Sequence, residues 1–344
     1  MATVIVGAGI IGVSTAYYLA SSGAPPHHAI HLVETSPRLF ASASGFAAGF
    51  LARDWFDASL AELGALSFAL HQQLAEQYGG DDSDPLRLCR FLLGECQDHG
   101  VQLHHPARVL SIARDLRGEL ASVRILADND TETDLPCTHL IITAGAWTPQ
   151  VFSALFPTST IHLPISPYAG HSLIVRSPRW TERDERAGCH AVFATDPDGF
   201  SPELFSRIGR EIYVSGLNST TISLPAIATD AQVDPASMVQ LRKVAARLVE
   251  SEGAAPTHVG DELEVVREGV CFRPVSATGH PFLFRVPDEQ LGAGVTTRAG
   301  RDGGVFIAAG HGPWGISLSL GTGKVLAELV EGRPTSVTIE ALAL

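Results

Sequence analysis

Apolar residues form two short runs near the start of the chain, at positions 3–7 and 29–33, and between them the apolar spacing is helical as far as Gly23. Two such runs around one helix-period stretch predict strand, helix, strand. Positions 57–78 carry a second helical pattern that stops at Gly79-Gly80. Asp84-Pro85 opens another, a capping acid before a proline at the first helical position, running to His99 and stopped by Gly100. Shorter apolar runs predict strands near 101–103, 108–114 and 121–126. An apolar strand at 139–143 leads to a short helix opened by Thr148-Pro149. From 161 to 271 the pattern becomes alternation broken by prolines, with strands near 172–176, 191–194 and 211–215 and one helix from Asp234-Pro235 to Gly253. The chain closes with a strand at 304–309, a turn Gly310-His311-Gly312-Pro313-Trp314-Gly315, and a helix over 316–331 ended by Gly332 and Pro334.

This order predicts an α/β protein: a doubly wound, Rossmann-like domain, discontinuous over 1–155 and 300–344, and a second, antiparallel-sheet domain over 156–299. A length of 344 residues suits two domains, and 45% hydrophobic with 18% charged residues is the balance of a compact chain. The net charge of −13 argues against nucleic acid and against anionic membrane surfaces, since phosphates would go unneutralised. Five cysteines without a CxxC pair indicate a reducing, cytoplasmic setting and no structural zinc. No spacing of metal ligands stands out. The apolar start lacks a basic leader region, is explained by its glycines, and no other stretch is long enough to span a bilayer.

Chemistry enters at Gly7-Ala8-Gly9-Ile10-Ile11-Gly12, between the first predicted strand and helix, with Glu34 ending the next strand 22 residues past Gly12. Gly7 allows the turn, Gly9 the approach of a pyrophosphate, and Gly12 close packing of helix on strand. The helix N-terminus offers N–H groups to phosphates, and Glu34 can accept from ribose hydroxyls. The motif serves NAD and FAD alike. Positions 41–50, rich in Gly, Ala and Ser, permit close approach to a ligand, while Phe46 and Phe50 argue for burial. The C-terminal strand–turn–helix suggests a long cofactor held from both ends, which favours FAD.

In order along the chain, these motifs resemble those of the D-amino-acid-oxidase superfamily of FAD-dependent oxidoreductases, which includes glycine oxidase, sarcosine oxidase and the amadoriases. The resemblance runs through GAGIIG with Glu34, Ser42-Ala43-Ser44-Gly45, Gly49-Phe50-Leu51, Thr143-Ala144-Gly145-Ala146-Trp147, Phe272-Arg273-Pro274 and Gly310-His311-Gly312. The stretches from Gly49 to Trp55 and from Gly310 to Ile316 look most like a fungal and plant branch, one yeast member of which has been linked to late-endosome-to-Golgi transport. The resemblance implies roles. Glu34 would hold the ribose, and Arg38, Ser42 and Ser44 would sit by the pyrophosphate. Gly45, Gly49, Phe50 and Leu51 would pass under the flavin, and Val109 would meet adenine. Ala144 and Gly145 would lie near the ribityl chain, and Trp147 would also be among the cofactor-binding residues. Gly310, His311, Gly312, Trp314, Gly315 and Ile316 would face the pyrimidine end, where a helix N-terminus stabilises negative charge. Sarcosine oxidase and the amadoriases bind flavin through a C-terminal cysteine. No cysteine follows Cys271 here, so non-covalent FAD is expected. Relatives place strands of the second domain where only positions 79–84 separate two helices, so that domain is expected to be trimmed.

The implied reaction is hydride transfer from the carbon of a small amine or amino acid to flavin N5, with electrons passing to O₂ or another acceptor. Arg273 is the expected carboxylate anchor, because a guanidinium fork matches a carboxylate. His311 is a candidate proton carrier or local charge, and Arg53 and His171 are candidates for the substrate side, as is His280. The alternative is a flavoprotein with little turnover acting through protein partners in trafficking.

Overall fold

The computed structural model describes residues 1–22, 28–79, 84–196, 199–250, 263–292 and 294–344. The expected helix ends at Gly23, Gly80 and Gly253 lie outside these residues, as does most of the short 79–84 junction.

Strand β1 (Ala2–Val6) is buried at every position, as befits a central parallel strand covered on both faces. Helix α1 (Ile10–Ser21) crosses to β2 (Ala29–Val33), which pairs in parallel with β1, Val6 opposite Val33. After a short α2 (Ala43–Phe46), α3 (Ala61–Tyr78) ends on Gly79 at φ +70°. Helix α4 (Pro85–Asp98) begins as expected, the Asp84 side chain accepting from the Leu86 N–H at 2.8 Å. Helix α3 starts four residues later than its apolar pattern, because Asp57 accepts from the Ser59 N–H and forms a separate turn.

Strand β3 (Gln102–His104) joins β2, and β4 (Ala107–Arg114), β5 (Leu120–Ala127) and β6 (Glu132–Pro136) make a separate three-stranded antiparallel sheet. Strand β6 is polar and largely exposed, which is why no apolar pattern announced it. The chain returns through β7 (His139–Ile142) and α5 (Thr148–Leu155). The second sheet takes β8 (Ile165–Arg176), β9 (Ala191–Phe193), β10 (Glu203–Arg207), β11 (Glu211–Ser219) and β12 (Glu264–Ser276), in the antiparallel order β12-β8-β11-β10-β9. Helix α6 (Glu182–Ala187) precedes β9, and α7 (Pro235–Glu250) packs Met238, Leu241 and Ala245 on Leu173, Val175 and Val214 of the outer face. The inner face carries the alternate positions, among them Arg273, Gly170, Ser215, Glu203 and Phe193.

Strand β13 (Phe282–Val286) corrects the expected boundary at 299. It pairs with β14 (Gly304–Ala309) and completes the first sheet, β13-β14-β7-β1-β2-β3, so the chain leaves the second sheet after Ser276. Helix α8 (Ser319–Val330) closes the unit against α1 and α3. Among the described residues no helix is long and apolar enough to cross a membrane.

Candidate active site

A cavity of about 780 Å³ lies between the two large sheets. It follows the carboxyl ends of β2, β1, β7 and β14, neighbours in that order, so its floor crosses about 14 Å of sheet. That edge of an open α/β sheet is where ligands bind.

At the β2 end stand Glu34, Arg108 and Val109. One Glu34 oxygen accepts from the Ala8 N–H at 3.0 Å and the other from the Ser36 N–H at 2.8 Å, which fixes the carboxylate while leaving lone pairs for a ligand. Gly7, Gly9, Ile10 and Ile11 follow on the wall. Gly7 has φ +105°, and a Cβ there would meet Thr143 O at 2.7 Å. A Cβ on Gly12 would lie 1.9 Å from Gly7 O, so the third glycine acts by packing and does not line the cavity. Helix α1 has no side-chain cap at Gly9 and no acid in its first turn. The Ile10 N–H donates to Ser44 Oγ at 2.9 Å, which brings Ser42 and Ser44 to the same wall. An uncapped, acid-free helix start beside serines and an oriented carboxylate is a donor set that fits the pyrophosphate and ribose of a dinucleotide.

Ala144, Gly145 and Trp147 line the middle, Trp147 Nε1 donating to Pro225 O at 2.8 Å. Gly49, Phe50 and the turn of His311, Gly312, Trp314, Gly315 and Ile316 line the β14 end. His71 on α3 is buried and its Nε2 donates to Ile316 O at 3.0 Å, fixing that turn from behind. Burial lowers the His71 pKa to about 4.

The antiparallel sheet straps the 43–50 loop through side chains that sequence reasoning missed. Tyr213 Oη donates to Phe46 O at 3.0 Å, and Arg267 donates to Gly45 O at 3.0 Å with its guanidinium over the Phe46 ring. Arg207 donates to Ala47 and Ala48 carbonyls while stacking on Tyr213. The only signal for these was a polar or aromatic residue at alternate strand positions. Arg273 lies across β8 above Gly170 and donates to Asn218 Oδ1 on β11, its guanidinium facing the cavity.

Several expected site residues lie elsewhere. Arg53 is exposed and pairs with Asp54 at 3.9 Å, outside the cavity. His171 is buried, and its Nε2 accepts from the Asp234 N–H at 3.1 Å, tying the start of α7 to the sheet. His280 pairs with Asp57 at 2.6 Å, also off the cavity. Arg38 is exposed, and Gly45, Leu51 and Gly310 sit behind the lining residues. His311 does line the cavity, but burial pushes its pKa down to about 3, and its Nε2 is 3.1 Å from Thr322 Oγ1. Burial thus disfavours the charged imidazolium there, which speaks against its reading as a local charge. Helix α8 starts at Ser319, not 316. Its first turn is buried, with the Gly321 N–H donating to Ser67 Oγ at 3.1 Å, so the tight 312–314 turn faces the cavity in its place.

Comparison with known proteins gives a matching context. The chain matches the family model DAO, FAD dependent oxidoreductase, over residues 2–83 and 78–329. It is 29% identical to "Putative oxidoreductase C1F5.03c" of Schizosaccharomyces pombe, over 98% of this chain and 96% of that protein. That alignment extends over 414 positions against 344 residues here, so the relative carries segments this chain lacks. A D-amino acid dehydrogenase of Paramagnetospirillum magneticum is 22% identical over 83% of this chain and 58% of its own length. The crystal structure of glycine oxidase from Geobacillus kaustophilus superposes with a TM-score of 0.72 at 20% identity, covering 99% of this chain and 97% of that one.

Proposed function

The chain belongs to the DAO family of FAD-dependent oxidoreductases, and from that premise we propose that it oxidises the C–N bond of a small amine or amino acid with non-covalently held FAD. Bound FAD supplies the hydride acceptor and relays electrons to O₂ or another acceptor. Glu34 would hold the ribose, the start of α1 with Ser42 and Ser44 the pyrophosphate, and the 311–316 turn the flavin end.

One observation carries the reading: Arg273, held by Asn218, lines the same cavity as the dinucleotide motif. Arg273 anchors the substrate carboxylate and thereby places the carbon next to the amine against the cavity floor. The substrate carbon gives up a hydride and its nitrogen a proton, and water hydrolyses the resulting imine. The apolar wall at Trp314 and Ile316 favours the uncharged amine that this step requires. Non-covalent binding is supported by Cys271, the cysteine on the cavity wall, whose thiol burial pushes upward in pKa and so keeps protonated and unreactive.

The test is direct. Purified protein should be yellow, absorbing near 450 nm, and acid precipitation should leave the colour in solution. Anaerobic mixing with a panel of amines and amino acids should bleach it. A colourless protein overturns the cofactor assignment; a coloured one that nothing bleaches overturns the reaction.

A further inference from the structure

The second sheet places an acid among aromatic rings on the cavity wall. Glu203 stands on the inner face of β10, directly opposite Phe193 on β9 and two residues before Phe205. Phe50 lies 5.6 Å from the Phe193 ring and 5.9 Å from Phe205, and Trp55 lies 5.5 Å from Phe193. All five residues line the cavity. Ser215 Oγ donates to Glu203 at 3.4 Å, and among the described residues Glu203 has no ion-pair partner. Trp55 is 56% and Phe193 49% exposed, a large apolar area left open at the mouth. Ring faces beside an uncompensated carboxylate attract a cation, by the ring quadrupole and by charge.

We propose that Glu203 and the rings of Phe50, Trp55, Phe193 and Phe205 form a subsite for a cationic group, making the substrate a basic amino acid. This rests on the reading of Arg273 as carboxylate anchor. The Arg273 guanidinium donates to Asn218 on β11, the strand next to that of Glu203; Asn218 faces Gly170, two residues along β8 from the Ser172 that continues the Glu203–Ser215 rung. The Asn218 and Glu203 backbones are thus about 8 Å apart, which sets the Arg273 and Glu203 side chains on one wall of the cavity as two ends between which a lysine- or arginine-length molecule can lie. The carboxylate then sits on Arg273 and the distal ammonium or guanidinium against Glu203, and the reacting amine lies between them.

The holoprotein is titrated calorimetrically with the two enantiomers of lysine and of norleucine, which has nearly the same chain without the ammonium. One lysine enantiomer should bind at least tenfold more tightly than its norleucine counterpart, and the ratio should fall below threefold in Glu203→Gln. Should that variant lose flavin, Phe193→Leu on the exposed edge strand takes its place, with the ratio reduced at least threefold. Equal affinities, no binding of lysine, or a ratio unchanged in the variants overturns the subsite. Lysine that binds without bleaching the flavin refutes the oxidase reading alone; norleucine that bleaches it as well as lysine does refutes the subsite alone.

Discussion

Gly170→Ala isolates the role of Arg273 without touching it. A Cβ on Gly170 would lie 2.6 Å from Arg273 Nη1, 3.0 Å from its Cζ and 2.9 Å from Asn218 Oδ1. Ordinary contact begins near 3.5 Å, so the guanidinium must retreat by about 1 Å. The backbone at Gly170 is not in the left-handed region, so alanine meets no strain there and loses less chain entropy on folding than glycine. The atom displaced is the end of a flexible side chain, and the fold should hold. A charge-assisted hydrogen bond to a carboxylate is worth about 1.5–3 kcal/mol, and losing it corresponds to a fall of roughly 10–150-fold in kcat/KM. Steady-state kinetics with the amino acid that bleaches the flavin should show this loss mainly in KM, with Tm unchanged or raised. A parallel assay with an amine lacking a carboxylate should show no more than a twofold change. If both substrates suffer alike, or neither does, Arg273 is not the anchor and its bond to Asn218 is merely structural.

Gly12→Ala acts on the fold itself. Its Cβ would meet the Gly7 carbonyl at 1.9 Å, and backbone cannot give way as a side chain can, so a loss of about 3 kcal/mol or more and a largely colourless protein are expected, read by Tm and flavin content. In Glu34→Gln one of the two accepting oxygens becomes a donor facing an N–H, and FAD affinity should fall by roughly 10–100-fold in reconstitution titrations. Burial lowers His71 and His139 to about 4, below the 6.5 of the unfolded chain. The unfolded state therefore binds more protons between these values, and stability is fully present above pH 6.5 and lost as pH falls toward 4. Each histidine contributes up to about 3 kcal/mol to that loss. Tm measured from pH 7.5 to 4.5 should drop, and His71→Gln, whose amide can still donate to Ile316 O, should flatten the slope; an unchanged slope would assign the acid sensitivity elsewhere.

What could be read from the chain, and what could not, follows from whether the determining interactions are local. Gly7, Gly9, Gly12 and Glu34 announce themselves because a turn, a close backbone approach and a strand-end acid are each demanded within one strand–helix–strand unit. The Asp84-Pro85 helix start is legible for the same reason. Arg273 was found through its Phe-Arg-Pro setting, but what orients it, the bare backbone of Gly170 and the amide of Asn218, comes from two other strands. Strand β13 falls inside the 156–299 range expected for the second domain, yet it joins the first sheet, because its pairing with β14 is a choice between partners that local alternation does not encode. His171 and His311 look alike in sequence as histidines after glycine. Both are buried, but one accepts from the Asp234 N–H at the start of α7 on the outer side of its sheet and the other meets Thr322 beside the cavity, and only these distant partners separate them. Glu203 is the extreme case. In sequence it is one more acid in an acidic protein, and it acquires chemical meaning from Phe193 across the ladder, Phe50 from the nucleotide-binding half, and the absence of an ion-pair partner among the described residues. On the proposed reading, cofactor recognition is written in contiguous motifs, whereas substrate recognition is assembled across strands. Variants of the glycine motif should accordingly change colour and stability, while variants on the second sheet should change which molecule bleaches the flavin.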